Sequence, residues 1–536
     1  MARAVGEALE RRESLVVEAG TGTGKTFAYL VPALLSGRHT IISTGTRTLQ
    51  DQLFNRDLPA LSAALGRPVS VALLKGRANY LCRHRLVLAR ASPELPLGDC
   101  GRESGSASRM LARIERWSLS TRTGDVSELS GIPEAHPLWG AVTSTRENCL
   151  GLACAEYARC HVVAARRAAL AADVVVVNHH LLLADFALKQ EGFGDLLPGT
   201  EAVILDEAHQ IPDVAAQFFG ASFSGRQLQA FVRDAQAELR SQRLVATELE
   251  ASLARLDQLH AALKRALPTS AGKVDWQSLS AEGHDVLAEI EQVLVSAQRS
   301  LAALGESGGV QHSARRAATL AAECAHLRGL EVESGVRWIE SSARNWSVEF
   351  TPFEVADRIR EWREAAPSAW IFTSATLAVG KDFGHFLGRI GAPDAETLCI
   401  QSPFDFKRQA LLYLPERISD PGDPAHTRDT IEAALPLIEA AGGRAFILFT
   451  SHRALSEGGA YLKGRVAGTA PYPILTQGEA PRELLLRQFR ELGNAVLLGT
   501  GSFWEGVDVK GEALSIVVID KLPFASPDDP LLKARL

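Results

Sequence analysis

One segment constrains this chain more than any other. The apolar run Leu15–Glu18 opens straight into Ala19-Gly-Thr-Gly-Thr-Gly-Lys-Thr26, and a helix-compatible run, 27–35, follows. Glycines in such a turn let successive backbone N–H groups face one point, and the N-terminus of the next helix adds positive potential there. A phosphate chain is the natural occupant. Lys25 offers a cation to β- and γ-phosphate oxygens, and the Thr26 hydroxyl is a ligand type for Mg²⁺. Ala19, Gly20, Thr21, Gly22, Thr23, Gly24, Lys25 and Thr26 are therefore the candidate ATP-binding loop. Strand, tight loop and helix in that order make a βα unit, which calls for a parallel sheet covered by helices.

A second strand-like run, Ala202–Leu205, ends in Asp206-Glu207-Ala208-His209. Once the phosphate loop is granted, Asp206 suits Mg²⁺ and Glu207 suits the proton of an attacking water. Lys25, Asp206 and Glu207 are the expected catalytic set. His209, one turn on, reads as a sensor linking nucleotide state to the rest of the molecule.

Short continuous apolar runs recur at residues 40–44, 71–75, 173–178, 370–374, 444–450, 495–500 and 515–520. Continuous rather than alternating apolarity points to strands buried on both faces. An early group ends near Thr376 and a late group begins near Ala445, so the fold class is α/β with two parallel-sheet domains. A length of 536 residues allows roughly three or four domains at about 150 residues each. Two stretches interrupt the first. Residues 81–165 lack strand runs and hold most of the cysteines. Residues 222–335 read as a bundle of antiparallel helices, with Leu253, Leu256, Leu259 or His260, Leu263 and Leu267, then Leu287, Ile290 and Leu294, at helical spacing.

Hydrophobic content of 46% with 22% charged residues describes a globular chain. No apolar run approaches the roughly 18 residues of a membrane helix, and the first residues lack a signal-peptide core. A cytoplasmic protein with no membrane partner is expected. The net charge is −6, yet residues 75–170 carry 14 Lys and Arg against 9 Asp and Glu. That local surplus of five is compatible with a nucleic-acid track and with ordinary scatter.

Cys149, Cys154 and Cys160 are separated by four and five residues, with Cys82 far upstream. Thiolates ligate iron–sulphur clusters and zinc alike. The spacing matches neither the paired zinc-ribbon pattern nor a ferredoxin pattern, so the residues alone leave open a four-cysteine metal site and plain buried thiols. Cys100 falls in the same stretch as an impostor ligand; Cys324 and Cys399 read as buried thiols. His179 and His180 read as structural or hinge residues.

Read together, the motifs resemble a known family. EAGTGTGKT (Glu18–Thr26), STGTRTLQDQL (Ser43–Leu53), VVVVNHHLLLAD (Val174–Asp185), LDEAHQ (Leu205–Gln210), FTSATL (Phe372–Leu377), TSHRAL (Thr450–Leu455) and GSFWEGVDVKG (Gly501–Gly511) occur in order, followed by DKLPFASPDDPLLKAR. The set resembles the iron–sulphur superfamily-two DNA helicases of the DinG/XPD type, and within them the bacterial YoaA-like branch.

The resemblance implies two RecA-like motor domains. The first comprises residues 1–80, 166–221 and 336–400, interrupted by an iron–sulphur domain at 81–165 and a helical arch-like insertion at 222–335; the second, cut short, is 401–536. It implies that Cys82, Cys149, Cys154 and Cys160 hold a [4Fe–4S] cluster. Thr44, Thr46 and Arg47 are expected on the phosphates of a single strand, with Ser374 and Thr376 coupling hydrolysis to domain closure. Trp504, Glu505, Gly506 and Asp508 would face nucleotide and DNA from the second motor. Arg83, Arg85, Arg113 and Arg116 are available for phosphates or as solvated helix faces.

The function so implied is an ATP-dependent DNA helicase, 5′→3′, acting on single strands and single/double-strand junctions in repair or replication, with Mg²⁺, ATP as substrate and an accessory repair or replication protein as a candidate partner. The alternative is a nucleic-acid-stimulated ATPase switch or scaffold that never unwinds. Compared with the family, Met1 is expected to fall after an adenine-reading glutamine segment, and Leu536 before the motif with the arginine finger, so the 536 residues by themselves are expected to bind ATP weakly and not to unwind.

Overall fold

The apolar runs fold as strands, and intervening segments with mixed patterning wrap them. The structure, a computed structural model, describes residues 1–91, 104–129, 131–132, 136–190, 197, 199–267, 272–305, 307–330, 334–342, 345–365, 368–467, 471–480, 482–504, 507, 509, 511–524 and 529–536. The strands are β1 (Ser14–Ala19), β2 (Thr40–Thr44), β3 (Val71–Leu73), β4 (Val174–Asn178), β5 (Ala202–Asp206), β6 (Ala221–Ser224), β7 (Gly272–Asp275), β8 (Gly335–Ser341), β9 (Trp346–Pro352), β10 (Ala369–Ser374), β11 (Glu396–Ile400), β12 (Ala445–Leu448), β13 (Ile474–Thr476), β14 (Val496–Gly499) and β15 (Ile516–Ile519).

Two compact units divide the chain: residues 1–403 with 526–536, and residues 404–525. In the first, seven strands form a wholly parallel sheet in the order β11-β1-β10-β5-β2-β4-β3. Successive side chains leave opposite faces of a strand, and both faces here are covered. Val16, Val175, Val177, Leu205 and Phe372 pack into one core, while Leu15, Val17, Val176, Ile204 and Ile371 pack into the other. The continuous apolar runs are thus explained strand by strand. β11, an edge strand that begins at Glu396, is not among those runs.

Residues between β5 and β10 form an inserted layer. Helices Gly225–Ser241, Thr247–Ala266, Ala281–Ala303 and Gly308–Gly329 surround a core containing Leu253, Leu256, Leu263, Leu287, Ile290 and Leu294. The expected helices are present, together with a sheet that the pattern did not announce. β6-β9-β8-β7 is antiparallel, and its residues alternate because one face meets the helices and the other does not. Residues 336–352, expected in the first motor, therefore belong to this layer. A smaller core of Leu81, Leu86, Ile114, Leu138, Trp139 and Val142 holds together the cysteine-bearing stretch between β3 and β4.

In the second unit, β13-β14-β12-β15 is again parallel. Its two cores lie around Ile447, Leu462 and Leu498, and around Phe446, Phe489 and Leu497. The helix Pro530–Arg535, expected with this domain, groups instead with the first unit, where Lys273 Nζ lies 2.7 Å from Asp529 Oδ2. Among the described residues no helix is long and apolar enough to cross a membrane.

Candidate active site

The strand order β1-β10-β5-β2 brings together, at one end of the sheet, segments far apart in sequence. In parallel sheets that carboxyl end is where ligands gather. After β1 the chain turns through Gly22 and Gly24, and Gly24 (φ 72°) caps the helix Lys25–Ser36 in a left-handed conformation that suits a residue without Cβ. Gly20 is needed for another reason: a Cβ there would stand 2.6 Å from the Ser402 backbone nitrogen. The loop is tied sideways by Gly20 N–H to the Ile400 carbonyl (2.9 Å) and by the Ser402 hydroxyl to the Thr21 carbonyl (2.7 Å).

Lys25 Nζ lies 3.0 Å from Asp206 Oδ1 and 2.8 Å from Glu207 Oε1. The Tyr29 hydroxyl, one turn along the same helix, donates to Asp206 Oδ2 at 3.0 Å. Glu207 follows β5 with φ 55° and ψ 44°, a left-handed conformation uncommon outside glycine and frequent at functional sites. Its backbone N–H donates to Asp206 Oδ1 (3.0 Å).

Burial lowers the Lys25 ammonium's affinity for its proton, but the Asp206 and Glu207 charges outweigh that and hold its pKa above the ordinary value. Burial pushes the Asp206 carboxyl up, against the pull of Lys25. The two directions oppose each other across one contact. With an ammonium at 3.0 Å and a hydroxyl donor on its other oxygen, Asp206 is a carboxylate, and the ion pair is the form that the geometry supports. Burial, reinforced by Asp206, holds the Tyr29 hydroxyl well above its ordinary pKa, so it stays a donor.

Ser374, the last residue of β10, joins this group. Its hydroxyl lies 2.8 Å from His209 Nδ1 and 3.4 Å from Glu207 Oε2, and it accepts the Thr376 N–H at 3.4 Å. No helix begins there. Two residues that the motifs contain, but to which the sequence assigned no role at this site, complete the arrangement. Glu18 Oε2 accepts the N–H groups of Leu377 and Ala378 at 2.6 and 2.7 Å, tying the foot of the phosphate loop to the loop after Ser374. His179, 1% exposed, sets Nδ1 2.7 Å from the Ser43 hydroxyl, and burial lowers its pKa to about 3, so it is neutral. Only strand adjacency reveals these partners.

Thr44 is fully buried and donates to the Thr46 carbonyl (3.2 Å), while the Thr46 hydroxyl caps the helix Arg47–Gln52 by accepting from Leu49 N–H at 3.3 Å. Thr44 is closed off from solvent, while the partly exposed Thr46 shapes the turn at the carboxyl end of β2. The side chain of Arg47 lies outside the described residues.

Cys82, Cys149, Cys154 and Cys160 are half-buried thiols outside any disulfide. Cys82 N–H donates to the Val142 carbonyl, and Cys154 and Cys160 each end a short 3₁₀ turn. Burial raises the Cys82 and Cys154 thiols against the pull of Arg85 and the Glu156 backbone respectively, and neighbouring thiols add to it, Cys154 and Cys149 at Cys82 and Cys149 and Cys160 at Cys154. Arg77 donates to Cys149 Sγ at 3.1 Å. Among the described residues no three His, Cys, Asp or Glu side chains gather tightly enough for a single metal ion. Cys100 lies outside the described residues. Cys324 is buried, its thiol pushed up to about 12 by burial, whereas Cys399, expected to be buried, is exposed on β11. Arg83 donates to the Ser118 carbonyl and Arg85 is paired with Asp234 at 2.8 Å, so neither guanidinium is left wholly for phosphates.

In the second unit Trp504 packs beside the Phe446–Phe489 core and its indole N–H donates to the Phe449 carbonyl (3.4 Å). Glu505, Gly506 and Asp508 lie outside the described residues.

Residues 2–91 match the DEAD/DEAH box helicase family and residues 434–536 the helicase C-terminal domain. The chain is 42% identical over 548 residues to the ATP-dependent DNA helicase YoaA of Escherichia coli, covering 100% of this chain and 83% of that one. The chain belongs to the YoaA/DinG helicase family. It is also 32% identical over 566 residues to the ATP-dependent helicase DinG of Mycobacterium tuberculosis, covering 82% of that protein. A solved XPD helicase structure superposes on this YoaA/DinG-family chain with a TM-score of 0.53 at 14% identity, covering 98% of this chain and 85% of the other. That likeness concerns the fold alone.

Proposed function

We propose that this chain is an ATP-dependent DNA helicase that moves along single-stranded DNA and separates duplex ahead of it, with the 5′→3′ polarity and the repair or replication role that the family resemblance implies. The observation that carries it is Lys25 bridging Asp206 and Glu207 at the foot of a glycine-rich loop, with Ser374 in contact with the same glutamate. In turnover, Lys25 exchanges its carboxylates for β- and γ-phosphate oxygens, leaving Glu207 to accept the proton of the attacking water. Thr26 and Asp206 are the residues that would hold Mg²⁺, which supplies charge neutralisation to the phosphates. Ser374 and His209 carry the change at Glu207 to the end of β10.

The cysteines fit a [4Fe–4S] cluster in donor chemistry: four unpaired thiols in one electrostatic neighbourhood, with Arg77 against Cys149 to balance negative charge. Cys82, Cys149, Cys154 and Cys160 would hold it, and it would supply a rigid crosslink within a domain that wedges the duplex. The helical insertion is the arch-like partner of that domain.

The test, in a full-length protein that carries this chain, is ATP hydrolysis with and without single-stranded DNA, alongside strand displacement on duplexes carrying a 5′ or a 3′ tail. ATP-dependent displacement confined to the 5′-tailed duplex is expected. DNA-stimulated hydrolysis without displacement would support the non-unwinding switch instead.

A further inference from the structure

Lys75 is 5% exposed, and its Nζ lies 2.8 Å from Asp51 Oδ1 and 2.8 Å from Asp125 Oδ2. The two acids belong to different parts of the first unit. Asp51 sits on the helix Arg47–Gln52, which Thr46 caps at the carboxyl end of β2. Asp125 belongs to the cysteine-bearing domain, where its backbone bridges Tyr80 and its other oxygen accepts from Ser127 N–H (3.0 Å) and Ser127 hydroxyl (2.8 Å). Lys75 itself is fixed on the motor sheet. Leu74 N–H donates to the Val176 carbonyl at 3.0 Å, and Lys75 N–H donates to the Tyr80 hydroxyl at 3.0 Å, just before the chain leaves toward Cys82.

We propose that Lys75 is a positioning residue that locks the helix Arg47–Gln52 to the cysteine-bearing domain, so that motion at the end of β2 is delivered to the domain proposed to meet the duplex. The inference rests on the helicase reading above. Burying an ammonium is costly, and a well-packed apolar side chain generally serves stability as well or better, so such a group is better understood as specifying geometry. Here the specification is unusually direct. One cation is shared by two carboxylates from two parts of the first unit, and either part shifting would strand a charge. Burial opposes the charged form, yet the two acids hold the ammonium's pKa above its ordinary value, so the tie persists at neutral pH. Lys75 is not placed to touch nucleotide, and neither acid belongs to the ATP site.

The experiment compares Lys75→Met, which keeps length and loses charge, with Lys75→Arg, in a full-length protein that carries this chain. Iron content, DNA-stimulated ATPase and strand displacement are measured on each. Lys75→Met is expected to keep iron and ATPase within about twofold while displacement per ATP falls about tenfold or more, and Lys75→Arg to recover most of it. Asp51→Asn and Asp125→Asn should each lower displacement per ATP, and together cost no more than the worse single change, because both act through one ammonium.

Parental displacement per ATP in Lys75→Met would overturn the proposal, as would a proportional fall of ATPase and displacement, or loss of iron. If the parental full-length protein shows no unwinding, the helicase reading fails, and the tie is judged separately by amide hydrogen exchange. Lys75→Met should speed exchange both in residues 47–52 and around Asp125; unchanged exchange at either place would overturn the tie.

Discussion

Lys25 Nζ lies 2.8 Å from Glu207 Oε1, although 182 residues separate them in the chain. The contact exists because β1 and β5 both flank β10, so the loop after one strand faces the turn after the other. The cation that is to meet phosphate thus rests on the base that is to meet water. Two substitutions in the full-length protein separate these roles. Lys25→Ala should raise KM for ATP about tenfold or more, because charge-assisted bonds to the phosphates are lost. Glu207→Gln should bind ATP and lower kcat about 10²-fold or more. Steady-state ATPase kinetics with fluorescent-nucleotide binding check both, and a Glu207→Gln chain turning over at the parental rate would remove Glu207 as the base.

Ser374 touches both Glu207 and His209, and through them joins β10 to the nucleotide-facing turn. In the full-length protein Ser374→Ala deletes that bridge without changing the strand. The ratio of DNA-stimulated to basal ATPase should fall about tenfold, within the usual range of coupling between sites. A titration of single-stranded DNA at saturating ATP reads this ratio directly, and an unchanged ratio would place coupling elsewhere.

The cysteines differ in kind, and their substitutions should differ accordingly. Cys154→Ser should abolish visible absorption and iron content in anaerobically purified protein. Cys324→Ser should leave both intact, since Cys324 is buried in the helical insertion with its thiol directed to the Leu287 carbonyl at 3.5 Å. A colourless parental protein holding stoichiometric zinc would refute the cluster assignment.

Glu323 supplies a pH prediction. Burial, reinforced by the Glu147 charge and opposed by Arg146, raises its pKa to about 7. The folded chain therefore keeps a proton that the unfolded chain releases near its ordinary value of 4.5. The stabilisation is complete below that value and is lost as pH rises through about 7. Glu323→Gln stays neutral throughout, so its Tm should exceed the parental Tm by an increasing margin between pH 5 and pH 8. A margin that does not change with pH would show that Glu323 is ionised in the folded state.

Much of this protein is determined locally and so is legible in the sequence. A strand buried on both faces has to be continuously apolar, which is why the runs at 40–44, 174–177 and 202–205 announce a parallel sheet. A phosphate loop has to carry its glycines, lysine and threonine at fixed spacing, and those residues need no partner from elsewhere to be recognised. The leucines of the helical insertion follow the same logic, because helical period is a local property. Tertiary structure alone decided the rest. Glu18 receives two N–H groups from the loop after β10, His179 meets Ser43, and Lys75 joins Asp51 to Asp125, each through strand order that no local pattern encodes. The antiparallel sheet β6-β9-β8-β7 is harder to read because β6 and β7 are only four residues long and two of its three strand pairings join segments far apart in the chain. The exposure of Cys399 likewise follows from β11 being an edge strand, a fact fixed by what lies beside it and not by its own residues.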